Sequence, residues 1–160
     1  MSVEEDTVHE KVAALLCAAR SDIGMTLEDV AAAADIDPAL LSAWEVGDGT
    51  PETSELARIL RTVRLRPGVP LALHADEILD AADRHHLVNV RVFGSAVRGH
   101  DTEDSDIDLF VGATSSTSLF DLGGFALAVE GLTGIEVDLL IDDLGDDPHF
   151  AHVLAEAVPL

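Results

Sequence analysis

The sequence feature that most limits the fold is a break rich in proline and glycine, RLRPGVP, at residues 64–70. Its two prolines and its glycine oppose a continuous helix, because proline lacks a backbone donor and glycine costs backbone entropy on folding. A chain of 160 residues is long enough for one compact domain or two small ones. We therefore predict two domains, covering residues 1–66 and 67–160.

The first predicted domain contains helical patterns only. Apolar residues recur there at intervals of three and four positions, which is the spacing of an amphipathic helix. Thr26 and Asp29 form a near capping box, and Asp37 followed by Pro38 marks another helix start. The four predicted helices lie within residues 8–20, 25–35, 35–49 and 51–63.

The second predicted domain alternates between the two periodicities. Helical patterns lie within residues 73–87, 118–132 and 148–158, and strand patterns within residues 88–93, 107–111 and 134–141. Interleaved helices and strands predict an α/β or α+β domain with a short mixed sheet and flanking helices. The acidic stretch IDDLGDDP, residues 141–148, is expected to be a solvated loop.

The charge of the chain is strongly negative. Thirty-one acidic residues face nine basic ones, giving a net charge of −22, and Lys11 is the one lysine. This balance indicates adaptation to a salt-rich cytoplasm, where screening weakens self-repulsion, or simply an acidic protein. The acidic N-terminus lacks the pattern of a signal peptide, and no apolar run approaches the roughly 18 residues of a membrane span. We expect a cytoplasmic protein with no membrane contact.

Two aspartates interrupt an apolar strand pattern in the second domain. Asp106 and Asp108 are two positions apart, so their side chains share one face of a strand. Asp138 lies in the next strand pattern, and an aspartate in a buried strand is costly unless it is bound. Neighbouring carboxylates repel unless a cation separates them, and oxygen ligands favour Mg²⁺. Three such aspartates suit a clamp for two metal ions, which activates an attacking oxygen and neutralises a phosphate.

A Gly-Ser turn precedes these aspartates. Gly94 allows the backbone to approach a ligand closely, and Ser95 adds a hydroxyl at the start of a short helix whose N–H groups suit phosphate oxygens. Arg98 could add a positive charge to the same ligand. It could equally pair with Asp101 or Glu103 at the surface.

Residues 20–66 resemble the helix-turn-helix domains of the Xre/Cro family. The resemblance rests on the paired helices, the turn between them and the run Trp44-Glu45-Val46-Gly47, which matches a W-E-x-G signature. It implies that the second paired helix lies in the major groove of DNA. Ser42 would reach a base edge or a phosphate, and Arg58 and Arg61 would contact the backbone.

The predicted recognition segment departs from a typical DNA-binding helix in its charge. Residues 37–47 contain no Lys or Arg, and they include the acids Asp37 and Glu45. Phosphate binding depends on cationic contacts and counterion release. A helical dimerisation or docking module that does not bind DNA is therefore the alternative interpretation.

The pattern G-S-x-x-R-G followed by S-D-I-D-L-x-V resembles the minimal nucleotidyltransferases, small members of the DNA polymerase β-like superfamily. The resemblance runs from about residue 72 to the C-terminus and implies transfer of AMP from ATP to an acceptor hydroxyl. By this resemblance, two Mg²⁺ ions would be held by three catalytic residues, Asp106, Asp108 and Asp138. The nucleotide would be bound by Gly94, Ser95, Arg98 and Ser105.

Minimal nucleotidyltransferases are commonly paired with HEPN-domain RNase toxins. The resemblance implies an antitoxin that adenylylates a tyrosine of its toxin, forms a homo-oligomer or a hetero-oligomer with it, and uses the helix-turn-helix to regulate their operon. This chain contains no tyrosine, so it cannot be its own acceptor. The alternatives are a DNA-binding regulator or neutralising module with a silent transferase site, and an adenylyltransferase acting on a small molecule.

Overall fold

The computed structural model describes residues 3–142 and 148–160. The chain divides into two compact units between Leu65 and Arg66, one residue before the predicted boundary. Most of the predicted acidic loop, residues 143–147, lies outside the described residues. Across the described ranges, no helix is long and apolar enough to cross a membrane.

The described part of the first unit is built from four helices, as its periodicity predicts. These are α1 (Val3–Asp22), α2 (Leu27–Ala34), α3 (Pro38–Glu45) and α4 (Thr53–Thr62). The side chains buried between them are apolar: Leu16, Ala19, Val30, Ala31, Leu41, Trp44, Ile59 and Val63. Helices this short are marginal in isolation, so their stability depends on this shared core.

The predicted starts of α2 and α3 are confirmed by their hydrogen bonds. The Thr26 hydroxyl accepts from the Asp29 N–H at 3.1 Å, and the Asp29 carboxylate accepts from the Thr26 N–H at 3.4 Å. Asp37 accepts from the Ala39 N–H at 2.8 Å, with Pro38 at the first helical position. These caps satisfy donors that the first turn of a helix leaves unpaired.

An ion pair joins α1 to α3 in the first unit. Arg20 donates from Nε and Nη2 to the two carboxylate oxygens of Glu45, at 2.7 and 2.8 Å. The Glu45 side chain is only 8% exposed, and the hydrogen bonds from Arg20 hold the pKa of its carboxyl below the ordinary value. The two-pronged geometry makes this the strong form of an arginine–carboxylate pair.

The described part of the second unit combines helices with a small sheet. In chain order the elements are α5 (Gly68–Leu73), α6 (Ala75–Arg84), β1 (Leu87–Val92), α7 (Ser95–Arg98), β2 (Ile107–Ala113), α8 (Leu119–Thr133), β3 (Val137–Ile141), a 3₁₀ turn (Pro148–Phe150), α9 (Ala151–Glu156) and β4 (Val158–Pro159). This confirms the predicted class, a helical domain followed by an α+β domain.

The sheet is mixed and has the order β3-β2-β1-β4. Strand β1 is antiparallel to both β2 and β4, whereas β2 and β3 are parallel. A parallel pair needs a long crossover, which α8 provides between β2 and β3. The core beneath the sheet includes Ile78, Ala82, Leu87, Val92, Ile107, Leu109, Val111, Phe125 and Val129.

Two elements of the second unit were not predicted. Helix α5 begins at Gly68, inside the break at residues 64–70, and Pro70 lies in its first turn, where a backbone N–H has no helical acceptor to lose. The final helix ends at Glu156 rather than at Val158, and the last residues form β4 against β1. A two-residue edge strand containing a proline has no periodicity that a sequence pattern can reveal.

Replacing Arg20 with methionine should destabilise the first unit by about 2 kcal/mol, because it leaves the Glu45 carboxylate buried without its cationic partner. Glu45 has a lowered pKa, so the ionic stabilisation is present above its ordinary pKa of about 4.3. It is lost as the pH falls through the lower value of the folded state, and the two proteins should converge there.

Urea unfolding followed by tryptophan fluorescence measures this effect in the first unit alone, because Trp44 is the chain's single tryptophan and is buried there. Arg58→Met is the matched control. Arg58 lies 3.8 Å from Asp35, whose side chain is fully exposed, so this change should leave the midpoint where it is. Equal midpoints for Arg20→Met and wild type at neutral pH would contradict the prediction.

Candidate functional site

Strands β2 and β3 bring two of the predicted aspartates side by side. In their parallel register Asp108 lies directly opposite Asp138, and Asp106 immediately precedes β2. The side chains of Ile107 and Leu109 are fully buried on the other face, whereas Asp106 and Asp138 are exposed and Asp108 is half-buried. Strand alternation thus separates the core face from a carboxylate face, as the sequence predicts.

The turn at Gly94 lies against Asp108. Gly94 has a φ of +74° and a ψ of −149°, a conformation open essentially to glycine alone. A Cβ placed there would overlap one Asp108 carboxylate oxygen and would lie 3.0 Å from Asp108 Cγ. The Phe93 N–H donates to the Asp108 carbonyl at 3.1 Å, which fixes the turn to β2. Glycine is therefore required here by both backbone conformation and space.

Burial is the main cause that raises the pKa of Asp108, and the negative charges of Asp138 and Asp106 raise it further. The positive charge of Arg98 lowers the pKa of Asp108, and the negative charge of Glu156 raises it. The negative charges of Asp106 and Asp138 therefore both act on the Asp108 carboxylate. A divalent cation would relieve that repulsion, and carboxylate oxygens are the ligands that Mg²⁺ prefers.

The carboxylates are near one another but do not form a preformed metal cage. Among the described residues, no group of three or more His, Cys, Asp or Glu side chains is gathered closely enough to hold an ion. Like charges resist such gathering, and a bound cation supplies the energy to overcome it. The donor types and the strand register fit a divalent metal, with Asp106, Asp108 and Asp138 as its candidate ligands.

Arg98 makes a contact that the sequence did not predict. Its Nη1 donates to both carboxylate oxygens of Glu156, at 3.2 and 3.0 Å, rather than to Asp101. Asp101 instead accepts from Arg66 at 2.9 Å and from the Gly68 N–H at 2.7 Å. Glu156 is 58 residues from Arg98 along the chain, so no local spacing could have connected them.

The two predicted serines differ in their surroundings. Ser95 is half-buried and directly follows Gly94 at the start of α7. The hydroxyl of Ser105 accepts from the Thr102 N–H at 3.0 Å, which stabilises the loop leading to Asp106. The contact of either hydroxyl with a nucleotide stays a prediction.

The predicted DNA-contacting residues lie on exposed parts of α3 and α4. Ser42 and Arg61 are exposed, and the Arg58 side chain is 42% exposed. Glu45 is not an acidic obstacle on the recognition helix, because its carboxylate turns inward to Arg20. The second acid of this segment, Asp37, caps the start of α3. Its negative charge, which disfavours DNA binding, therefore has a structural role.

The family comparisons agree with the division into two units. Residues 75–156 match a protein family described as a nucleotidyltransferase domain, and residues 18–68 match a family described as a helix-turn-helix. A solved structure described as a "putative minimal nucleotidyltransferase" is 42% identical in sequence with a TM-score of 0.51, covering 56% of this chain and 92% of that one. No curated protein matches this chain.

Asp108→Asn should stabilise the second unit at neutral pH by about 0.5 kcal/mol after allowance for solvent screening. A raised pKa means that the ionised Asp108 carboxylate opposes folding at neutral pH. This destabilisation diminishes as the pH falls through the raised value, so the advantage of the asparagine variant should diminish with it.

Calorimetry in a chelating buffer measures this gain, since the second unit has neither tryptophan nor tyrosine. Asp142→Asn is the control, because Asp142 is an exposed carboxylate directly after β3, paired with Arg91 at 3.2 Å. It should give no gain. A lower melting temperature for Asp108→Asn than for wild type would show that the site is not electrostatically strained.

Proposed function

The chain belongs to the nucleotidyltransferase domain family and carries a helix-turn-helix module, and from this we propose that its second unit transfers AMP from ATP to a hydroxyl of a partner protein. The observation that carries the proposal is the parallel register of Asp108 and Asp138 beside the Gly94 turn. Asp108 and Asp138 lie opposite each other and the Gly94 turn lies against Asp108, which supports a site where oxygen ligands and a phosphate-binding backbone would act together.

The proposed cofactor is Mg²⁺. Asp106, Asp108 and Asp138 would hold two ions, which would supply charge neutralisation at the phosphates and lower the pKa of the attacking hydroxyl. Both effects suit a site whose carboxylates already repel one another.

The residues of the chain would then act on the two ends of the reaction. Asp138, which is exposed at the edge of β3, would accept the proton of the acceptor hydroxyl. The acceptor oxygen forms a bond to the α-phosphorus, the bond from that phosphorus to the bridging oxygen breaks, and pyrophosphate leaves. Gly94 and Ser95 would bind the β- and γ-phosphates, and Arg98 would balance their charge.

We propose a HEPN-domain toxin as the partner and a toxin tyrosine as the acceptor. A protein partner is supported by an exposed apolar face on α8, where the side chains of Leu119, Phe120 and Leu127 are 84%, 92% and 69% exposed. Phe120 and Leu127 are seven positions apart, so they lie on the same side of the helix. Exposed apolar side chains clustered in this way are typical of protein contact surfaces.

The protein would act as an antitoxin, and its helix-turn-helix would bind DNA to regulate its own operon. The exposed Ser42, Arg58 and Arg61 are the candidate DNA contacts. The inward ion pair of Glu45 supports this proposal, because it removes one acid from the groove-facing side. The alternative class is a regulator or neutralising module whose transferase site is silent, and the transfer assay separates the two.

In the transfer assay, the co-expressed HEPN-domain partner is incubated with this protein, Mg²⁺ and ATP and is then weighed by mass spectrometry. The partner should gain AMP units. Asp106→Asn, Asp108→Asn and Asp138→Asn should each slow this gain at least about a hundredfold, the scale on which a lost transition-state charge contact acts.

Asp142→Asn, at the carboxylate paired with Arg91, is the control that should keep full activity. Any adenylylated tyrosine must lie in the partner, because this chain contains none. An unchanged partner mass with intact toxin neutralisation would support the silent module instead.

Arg61→Met should weaken the affinity for a duplex from the protein's own upstream region and for duplexes of other sequence by about the same factor. It should also reduce the slope of log affinity against log salt by about one, as expected for the loss of one phosphate contact. Fluorescence anisotropy over a salt series measures both quantities. Arg84→Met, in the second unit, should leave the slope unchanged, and an unchanged slope for Arg61→Met would remove Arg61 from the DNA contact.

A further inference from the structure

A fourth carboxylate, that of Glu156, lies at the Gly94 turn. Oε1 of Glu156 accepts from the Gly94 N–H at 3.0 Å and from Arg98 Nη1 at 3.2 Å, and Oε2 accepts from the same Nη1 at 3.0 Å. One side chain thus joins the backbone of the turn to the guanidinium four residues later. None of the site residues predicted from the sequence makes both contacts.

The fold holds Glu156 in this place from both sides. It is the last residue of α9, which is anchored by the buried Val153. Immediately after it, β4 pairs with the end of β1, so that Val158 lies opposite Val92, and the Leu160 N–H donates to the Val90 carbonyl at 3.2 Å. The position of the carboxylate is therefore set by the sheet and not by a free tail.

The negative charge of Glu156 by itself disfavours an anionic ligand at the turn. Its carboxylate acts on Asp108 in the same direction as Asp106 and Asp138, so it adds to the negative field of the site. Arg98 is the cation that opposes this field at Asp108. The fixed ion pair keeps that cation beside the aspartates, since an arginine side chain that is 53% exposed would otherwise sample many rotamers.

The geometry of the pair leaves most of the guanidinium available. Both oxygens of Glu156 meet the single nitrogen Nη1, and among the described residues Nε and Nη2 of Arg98 donate to none. These donors have the fork geometry that binds phosphate oxygens in a bidentate way. A carboxylate that competed for the phosphate position would be expected to occupy that fork.

We propose that Glu156 is a positioning residue that orients Arg98 and the Gly94 turn to receive the triphosphate of the nucleotide. This inference rests on the proposed function, because it assumes that a nucleotide binds at the turn. Glu156 itself contacts no reacting atom. It acts through the two groups that it holds.

The test compares two substitutions that separate the two contacts. Glu156→Gln keeps an oxygen that can accept from the Gly94 N–H but removes the charge that holds Arg98, and Glu156→Ala removes both contacts. Calorimetric titration with Mg²⁺–ATP and with AMP should show ATP affinity reduced about tenfold in the glutamine variant and further in the alanine variant. AMP affinity should stay unchanged in the glutamine variant, because AMP lacks the β- and γ-phosphates.

A double-mutant cycle with Arg98→Met tests whether the effect passes through the arginine. Glu156→Gln should cost little extra ATP affinity when Arg98 is already methionine. Asp142→Asn, which breaks the Arg91 ion pair elsewhere on the sheet, is the matched control and should bind ATP like wild type. Thermal unfolding of each variant verifies that the second unit is folded.

The possible outcomes separate a failure of this inference from a failure of the proposed function on which it rests. Wild-type protein that binds no Mg²⁺–ATP would overturn the proposed function and this inference together. Wild-type binding with unchanged affinity in Glu156→Gln would overturn the inference alone. Tighter ATP binding in that variant would also overturn it, by showing that Glu156 competes with phosphate for the same donors.

Discussion

The site depends on one close contact, the approach of the Gly94 backbone to the Asp108 carboxylate. No other residue could stand at this turn, because a Cβ would overlap the carboxylate and the φ of +74° is unfavourable for a side chain. The turn is fixed to β2 by the Phe93 hydrogen bond, and β2 fixes the register with β3. The aspartates, the turn and the short helix that follows it are therefore positioned by the same few backbone contacts.

The same arrangement lowers the stability of the domain through electrostatic repulsion. Asp108 is half-buried beside two other aspartates, and first its burial and then their charges raise its pKa. A protein that was selected for stability alone would place an uncharged residue at this position. The arrangement is understandable if the carboxylates exist to bind cations, since the repulsion between them is the free energy that a bound ion relieves.

The helix-turn-helix unit shows the opposite use of charge. Arg20 and Glu45 form a two-pronged ion pair between α1 and α3, and it fixes the recognition helix on the rest of the domain. Glu45 therefore contributes to the structure of the domain and not to the charge of its exposed face. In both units the functional interpretation of an acid depends on which group faces it, and composition does not contain that information.

The sequence by itself determined the local structure and supplied the candidate site residues, whose roles stay predictions. Periodicity and caps predicted the four helices of the first unit, and the i, i+2 spacing of Asp106 and Asp108 predicted a shared strand face. These properties follow from interactions between residues that are close in the chain. The tertiary structure alone decided the register that sets Asp108 opposite Asp138, the pairing of Arg20 with Glu45, and the contact of Glu156 with the Gly94 turn. Strand order, sheet register and the edge strand β4 are set by packing between segments far apart in sequence, and no local pattern encodes them.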